Sequence, residues 1–331
     1  MTRVFSGVKP TGHLTLGNYL GAMRRWPRWI STGRTHCSVW STCMTVEHDP
    51  ARVRRLSRQA ATLLLAMGLD PERCTVFVQS QVDEHARLAY LMECTASDGE
   101  MRRMIQYKEK AASEAARGRG VRLSLLTYPA LMAADILAYG THEVPVGEDQ
   151  AQHLELTRDL AVRFNQRYGP TFVVPKATHP EVAARVMDLQ RPTSKMGKSE
   201  RGSTAGIVYV LDEPEVVRRK VMRAVTDTHS DVVYDREARP GVANLLDVLA
   251  ACVGGEPERL AVEYGSYGAL KRDVGEAVVE LLRPVRGRHA ELAADPAYVD
   301  GVLVAGAERA RVMARGRVDA AYRAVGLMSR G

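Results

Sequence analysis

Two lysines three residues apart, Lys195 and Lys198 in "PTSKMGKSE" (192–200), are the first residues whose type and spacing could do chemistry. Of the chain's 46 basic residues only eight are lysine, so composition alone would have placed arginine there. A compact ammonium on a flexible stem differs in use from arginine's rigid fork. Two of them on a Ser/Gly-rich loop can close over a triphosphate and tighten as pyrophosphate leaves, an electrostatic effect of roughly 3 kcal/mol per donor. The six letters "SKMGKS" also read as an exposed basic loop with no such duty.

A second stretch is "FSGVKPTGHLTLGNYLG" at 5–21. Phe5, Ser6 and Gly7 end an apolar run, and Gly17 and Asn18 open a helix. Glycine beside a helix N-terminus lets a phosphate approach closely, and the free N–H groups favour its charge. Neither G-x-G-x-x-G nor a P-loop pattern is present. Thr15 and Asn18 can both donate to developing negative charge; an ordinary strand–turn–helix is the competing reading. His13, a lone turn histidine, is given no role.

The third stretch is "LLTYPALMAADILAYGTHEVPVGEDQAQHLELTRDLAVRFN" at 125–165. Pro129 is predicted to start a helix on which Met132, Asp135, Ile136 and Tyr139 share a face. An aspartate within an apolar stripe is costly unless something donates to it. A solvated aspartate, or one bonded to a neighbouring helix, is the alternative. Gly147, Asp149 and Gln150 follow the apolar "VPV" and begin another helix.

The elements that must position these residues alternate through the first two hundred positions. "RVFSGV", "HCSVWSTCMTV", "CTVFVQS" and "EVPVG" read as strands, with helices between them. The helix after the second strand is capped by Asp49, opened by Pro50 and closed by Gly68, with Val53, Leu56, Ala60, Leu63, Leu64 and Met67 at helical spacing. Strands separated by such helices indicate βαβ units and a parallel sheet. After "GIVYVL" at 206–211 the pattern is helical: 214–225, 243–253, 257–264, 269–282 and a long segment after Asp295-Pro296. The expected fold is α/β: a Rossmann-like, parallel-sheet catalytic domain at 1–200, ending in the lysine loop, followed by a C-terminal all-helical domain at 201–331.

The bulk properties agree with a soluble, metal-free scaffold. At 331 residues the chain can hold two cored units. A net charge of +7 permits a polyanionic partner without requiring one. Five scattered cysteines with no C-x-x-C pair argue against a disulfide framework or a zinc site. No apolar run approaches membrane-spanning length. A reduced, cytoplasmic location is the expectation.

Taken together, the first two stretches resemble the paired signature of class I aminoacyl-tRNA synthetases. "TLGN" at 15–18 stands where that family has H-I-G-H, and "KMGKS" at 195–199 where it has K-M-S-K-S. The 125–165 segment, above all "VPVGEDQAQHLELTRDLA", is similar to the bacterial tryptophanyl branch, as are residues 5–22, "YDREARPGVANLL" at 234–246 and "LRP" at 282–284. The resemblance implies an ATP-dependent tryptophan–tRNA ligase and homodimer, with L-tryptophan, ATP and tRNA(Trp) as partners and Mg²⁺ accompanying the nucleotide. It implies catalytic roles for Lys195, Lys198, Thr15, Asn18 and Lys110. ATP contacts fall to Lys9, Gly17, Asn18, Gly147, Asp149, Lys195, Met196, Lys198 and Ser199. Tryptophan contacts fall to Phe5, Gly7, Tyr128, Met132, Asp135, Val144, Val146 and Gln150. Among these, Asp135 takes the indole N–H, Met132, Val144 and Val146 sandwich the ring, and Tyr128 faces the amino group.

The chain departs from the family at three places around this site. Lys9 replaces a glutamine; Trp40, Ser41 and Thr42 replace D-x-H; and Gly197 replaces the middle serine of the lysine loop. The first two lie by resemblance near the substrate's polar end, whereas the ring-binding residues are kept. That pattern raises tolerance of tryptophan-mimicking inhibitors, possessed by an auxiliary enzyme, as an expectation. Two rivals are a non-catalytic sensor of tryptophan or tRNA and a small-molecule adenylyltransferase. Intact Lys195, Lys198, Asp135 and Gln150 speak against the first, and the long helical region against the second.

Overall fold

The alternation of apolar runs and helices becomes an all-parallel sheet of five strands: β1 (Arg3–Val8), β2 (Thr35–Trp40), β3 (Thr75–Val78), β4 (Glu143–Pro145) and β5 (Lys176–Thr178), in the order β3-β2-β1-β4-β5. The computed structural model describes residues 2–8, 13–27, 35–40, 49–147, 150–178, 186–197 and 204–328, with the backbone alone for Val8 and for 35–40. β1 pairs with β2 from Arg3↔Thr35 to Val8↔Trp40, and with β4 through Val4↔Glu143. The chain winds outward from β1 to β3 and then returns to the other side of β1. The winding therefore reverses between β1 and β4, and ligands of open parallel sheets bind at the carboxyl ends of such a pair.

The predicted strands match this sheet, apart from the part of the second run that lies at 41–46, outside the described residues. β5 was not anticipated from its sequence. "GIVYVL" forms no strand of the sheet; it makes an isolated antiparallel bridge, Thr15↔Tyr209, flanked by Leu16 N→Val208 O at 2.8 Å and Val210 N→Leu14 O at 2.9 Å.

Helix α1 covers Leu16–Gly21 and α2 Pro50–Ala66. In α2 Asp49 accepts from Arg52 N at 2.9 Å, Pro50 occupies the first turn and Gly68 follows at φ +98°, as the sequence pattern required. Next come α3 (Glu84–Thr95), α4 (Asp98–Arg103), α5 (Ile105–Ala115), α6 (Leu123–Leu137) and α7 (Ala151–Tyr168). Here one expectation is corrected: Pro129 does not start α6 but lies inside it, six residues after Leu123. The proline removes one N–H that would have bonded Leu125. Burial of Ala130, Ala133, Ala134 and Leu137, with α6 packed along α3, offsets that loss.

The remaining helices are α8 (Pro214–Met222), α9 (Pro240–Val253), α10 (Pro257–Ala261), α11 (Tyr267–Ala294) and α12 (Pro296–Ala324). α11 runs through Pro284, which is exposed, while Leu282 and Val285 beside it are buried. One core joins α1 and α2 to α8, α9 and α11. A second joins Phe5, Phe77, α3, α6 and α7 to α12. Thus the last helix leaves its neighbours in sequence and lies over β3. A Cβ on Gly306 would stand 1.8 Å from the Val76 carbonyl oxygen, so only glycine permits that approach.

Candidate functional site

Thr15 and Asn18 form a reciprocal cap on α1. Thr15 Oγ1 accepts from Asn18 N, and Asn18 Oδ1 accepts from Thr15 N, both at 3.2 Å. Thr15 is wholly buried, so the cap fixes the turn that follows β1. The lysine loop is brought against this turn. Thr15 Oγ1 donates to the Met196 carbonyl at 3.5 Å, and a Cβ on Gly17 would lie 3.2 Å from that same oxygen. The two stretches, some 180 residues apart in sequence, thus meet at residues 15–17 and 195–196.

Backbone pairing carries Lys195 to this place. Residues 186–197 fold back on themselves through the bridge Met187↔Lys195, with Met196 N→Val186 O at 3.0 Å and Asp188 N→Ser194 O at 2.8 Å. Asp188 Oδ1 accepts from Gln190 N at 2.8 Å and Arg191 N at 3.0 Å, shaping the turn. From α9, Asn244 brackets the strand leading into it: Met187 N donates to Oδ1 at 2.8 Å and Nδ2 donates to Met187 O at 3.1 Å. Met196 is buried, whereas Lys195 and Gly197 are exposed.

The candidate ring pocket lies in the second core. Phe5, Val144 and Val146 are buried there, and Met132 packs against them. Tyr139 stacks on Phe5 at 5.7 Å between centroids and leans on Phe77 at 5.6 Å. Asp135 is 5 % exposed. Its burial is supported by two donors that sequence reasoning missed. Gln79 Nε2 donates to Oδ2 at 2.7 Å, and His85 Nδ1 meets Oδ1. His85 Nε2 in turn lies 2.6 Å from the Tyr139 hydroxyl. Gln79 follows the carboxyl end of β3, which is the signal that could have drawn attention to it. His85, on the first turn of α3, carried none.

Tyr128 is also buried, which pushes its hydroxyl up to about 12 and keeps it protonated. Its oxygen lies 2.6 Å from His153 Nε2 and 3.1 Å from Gln106 Oε1. The Lys110 ammonium is 5.8 Å from the Tyr128 ring centre. Gly7 is exposed at the end of β1; Gly147 follows β4, and its carbonyl accepts from Gln150 N at 3.0 Å. The structure therefore gathers Thr15, Gly17, Asn18, Lys195 and Met196 in one cluster. It gathers Phe5, Met132, Asp135, Val144 and Val146 in another, and Lys110 with Tyr128. Lys9, Asp149, Lys198 and Ser199 lie outside the described residues, as do the departures Ser41 and Thr42.

Among the described residues no group of three or more His, Cys, Asp or Glu side chains is disposed to hold a metal ion, and no helix is long and apolar enough to cross a membrane.

Comparison with known proteins places this arrangement. Residues 1–283 match the family described as tRNA synthetases class I (W and Y). The chain is 74 % identical to tryptophan–tRNA ligase 1 of Streptomyces avermitilis over 330 residues, 99 % of each chain, and 46 % identical to ligase 2 of that organism, covering 98 % of this chain and 97 % of that one. Among solved structures it is similar to tryptophanyl-tRNA synthetase of Mycoplasma pneumoniae, with a TM-score of 0.90, 34 % identity and 99 % of each chain covered. The Campylobacter jejuni enzyme complexed with ADP and tryptophan gives a TM-score of 0.83 at 29 % identity, covering 98 % of this chain and 100 % of that one. With a family match over residues 1–283 and a full-length relative at 74 % identity, the chain belongs to the class I tRNA synthetases for tryptophan and tyrosine.

Proposed function

We propose that this chain joins L-tryptophan to tRNA(Trp) in two steps at the carboxyl end of β1 and β4. The tryptophan carboxylate attacks the α-phosphorus of ATP in line, giving tryptophanyl-adenylate and releasing pyrophosphate. A terminal ribose hydroxyl of the tRNA then takes the tryptophanyl group and AMP leaves. The observation that carries the reading is the docking of the Lys195 loop on the Thr15–Asn18 turn, in a chain 74 % identical over its length to a tryptophan–tRNA ligase. Lys195 and Lys198 steady the departing pyrophosphate, with Asn18 adding a donor, Lys110 adding charge and Thr15 fixing the turn that holds Asn18. Gly17, Met196 and Ser199 shape the nucleotide site, to which Lys9, Gly147 and Asp149 add contacts. Mg²⁺ accompanies the nucleotide, held chiefly by its phosphates.

For the amino acid, Phe5, Gly7, Met132, Val144 and Val146 surround the indole, Asp135 accepts its N–H, and Tyr128 and Gln150 face the polar end. The enzyme is cytoplasmic and works as a homodimer. A face supporting the dimer is the α3–α6 surface, where Tyr90 and Leu123 are 63 % and 72 % exposed. The helical region carries the tRNA contacts, its arginines on phosphates.

ATP–pyrophosphate exchange tested with each standard amino acid, followed by charging of tRNA, decides the assignment. Exchange with tryptophan alone, and charging of tRNA(Trp), is the expected result. Exchange without charging would point to a small-molecule adenylyltransferase, and binding without exchange to a sensor. Lys9 and Thr42 further support tolerance of inhibitors that copy tryptophan's ring and differ at its polar end. Loss of a donating imidazole costs such an inhibitor about 1–3 kcal/mol, roughly 5- to 150-fold. Lys9→Gln with Thr42→His is expected to sensitise the enzyme to an indolmycin-type analogue. Equal sensitivity before and after refutes that part.

A further inference from the structure

The mechanism above leaves His85 without a duty, although it is 2 % exposed and touches the residue assigned to the indole. We infer that His85 is a positioning residue for specificity: backed by Tyr139, it holds the Asp135 carboxylate as an oriented acceptor and so sets the preference for a ring that carries N–H. The inference rests on the proposed role of Asp135 and adds the group that makes that role selective.

A carboxylate has about four acceptor positions over two oxygens. Gln79 takes one on Oδ2 and His85 one on Oδ1, and each is itself buried, at 1 % and 2 % exposed. With Nδ1–H donating to the carboxylate, Nε2 of a neutral ring accepts from the Tyr139 hydroxyl 2.6 Å away. Tyr139 is locked between Phe5 and Phe77, so the imidazole tautomer and its direction are set from behind. Tyr139 also stacks on Phe5, which belongs to the candidate ring pocket.

Both carboxylate oxygens are thereby tied from the protein side, and the positions left over can only accept. A ligand N–H meets a fixed acceptor there. A ligand carrying sulfur or carbon in that place leaves it unpaired, which is how buried hydrogen-bonding sites reject isosteres. Without His85, Gln79 is the one anchor left to the carboxylate among the described residues, and the carboxylate can turn away from the ligand.

The test uses the full-length enzyme in ATP–pyrophosphate exchange, with kcat/KM compared for L-tryptophan and for its benzothienyl analogue, in which sulfur replaces N–H. Four variants are needed: Asp135→Ala, His85→Leu, His85→Asn and His85→Gln. The amide of Asn stands near the place of Nδ1 and that of Gln near Nε2. His85→Leu is expected to cut the tryptophan-to-analogue ratio at least tenfold, with the KM for ATP within twofold of wild type. His85→Asn is expected to restore most of the ratio and His85→Gln little of it.

If Asp135→Ala leaves the ratio untouched, the reading of Asp135 is wrong and the inference goes with it. If Asp135→Ala abolishes the ratio while His85→Leu keeps it, Asp135 stands and His85 is mere packing. Should His85→Leu fail to fold, the Asn and Gln variants decide, since equal ratios in those two refute a directed donor.

Discussion

Asn244→Ala tests how far the helical part of the chain governs the lysine loop. The side chain is 3 % exposed and makes two bonds to the Met187 backbone, at 2.8 and 3.1 Å, directly across from Lys195. Alanine deletes both and leaves a donor and an acceptor behind. Each costs about 1–3 kcal/mol when sealed from water. Met187 is only half-buried, so water reaches part of the gap and about 2–3 kcal/mol in total is the reasonable expectation. Confined to the loop, that energy lowers the docked fraction by roughly 30- to 150-fold at the limit, at about 1.4 kcal/mol per tenfold. The assay is pyrophosphate exchange with ATP varied, beside equilibrium binding of tryptophan without ATP and a thermal melt. The kcat/KM for ATP should fall at least tenfold, tryptophan affinity should stay within twofold, and the melting temperature should drop by a few degrees. Parallel losses in ATP use and tryptophan binding would show that Asn244 supports the whole fold, and the reasoning would fail.

Lys195→Ala should reduce adenylate formation by roughly a hundredfold or more, with tryptophan binding in the absence of ATP nearly unchanged; equal losses in both measurements contradict the phosphate role. Gly306→Ala should destabilise the protein by about 3 kcal/mol in a denaturant titration, because its Cβ has 1.8 Å to the Val76 carbonyl and must push α12 off β3; an unchanged midpoint would mean that α12 shifts without cost. The paired bonds from Arg163, at 2.6 and 3.0 Å, hold the Glu100 carboxyl down at about 2 from an ordinary value near 4.5. A carboxylate depressed in the folded state adds stability above its unfolded value and loses it as pH falls through the folded one. Glu100→Gln should therefore cost on the order of 1 kcal/mol at pH 7, after solvent screening of the half-exposed arginine, and the difference should vanish between about pH 4.5 and 2. A constant difference across that window refutes the pairing.

What the sequence determined alone is whatever short-range chemistry dictates. The cap of α2 by Asp49, its opening by Pro50 and its close at Gly68 need only neighbouring residues, and all three stand as the pattern required. The alternation of strands and helices is equally local, and so is the concentration of scarce lysine around residue 195. Pro129 shows the limit of such reading. A proline is a stop or a start by its own stereochemistry, but α6 runs through it because packing along α3 outweighs one missing hydrogen bond.

Tertiary structure decided which distant segments meet. No local pattern specifies the order β3-β2-β1-β4-β5, or that α12 turns back to lie on β3. Asp135 shows the same division at a single side chain. Its position in an apolar stripe announced that it needs a donor, a consequence of desolvation that sequence can express. That Gln79 and His85 supply donors, from 56 and 50 residues away, follows only from the packing of α3 and β3 against α6. Likewise Asn244 is an ordinary polar residue in a helical pattern until α9 is laid beside Met187. Burial makes a polar group's need for a partner legible one residue at a time, but the partner is chosen by the folding of the whole chain.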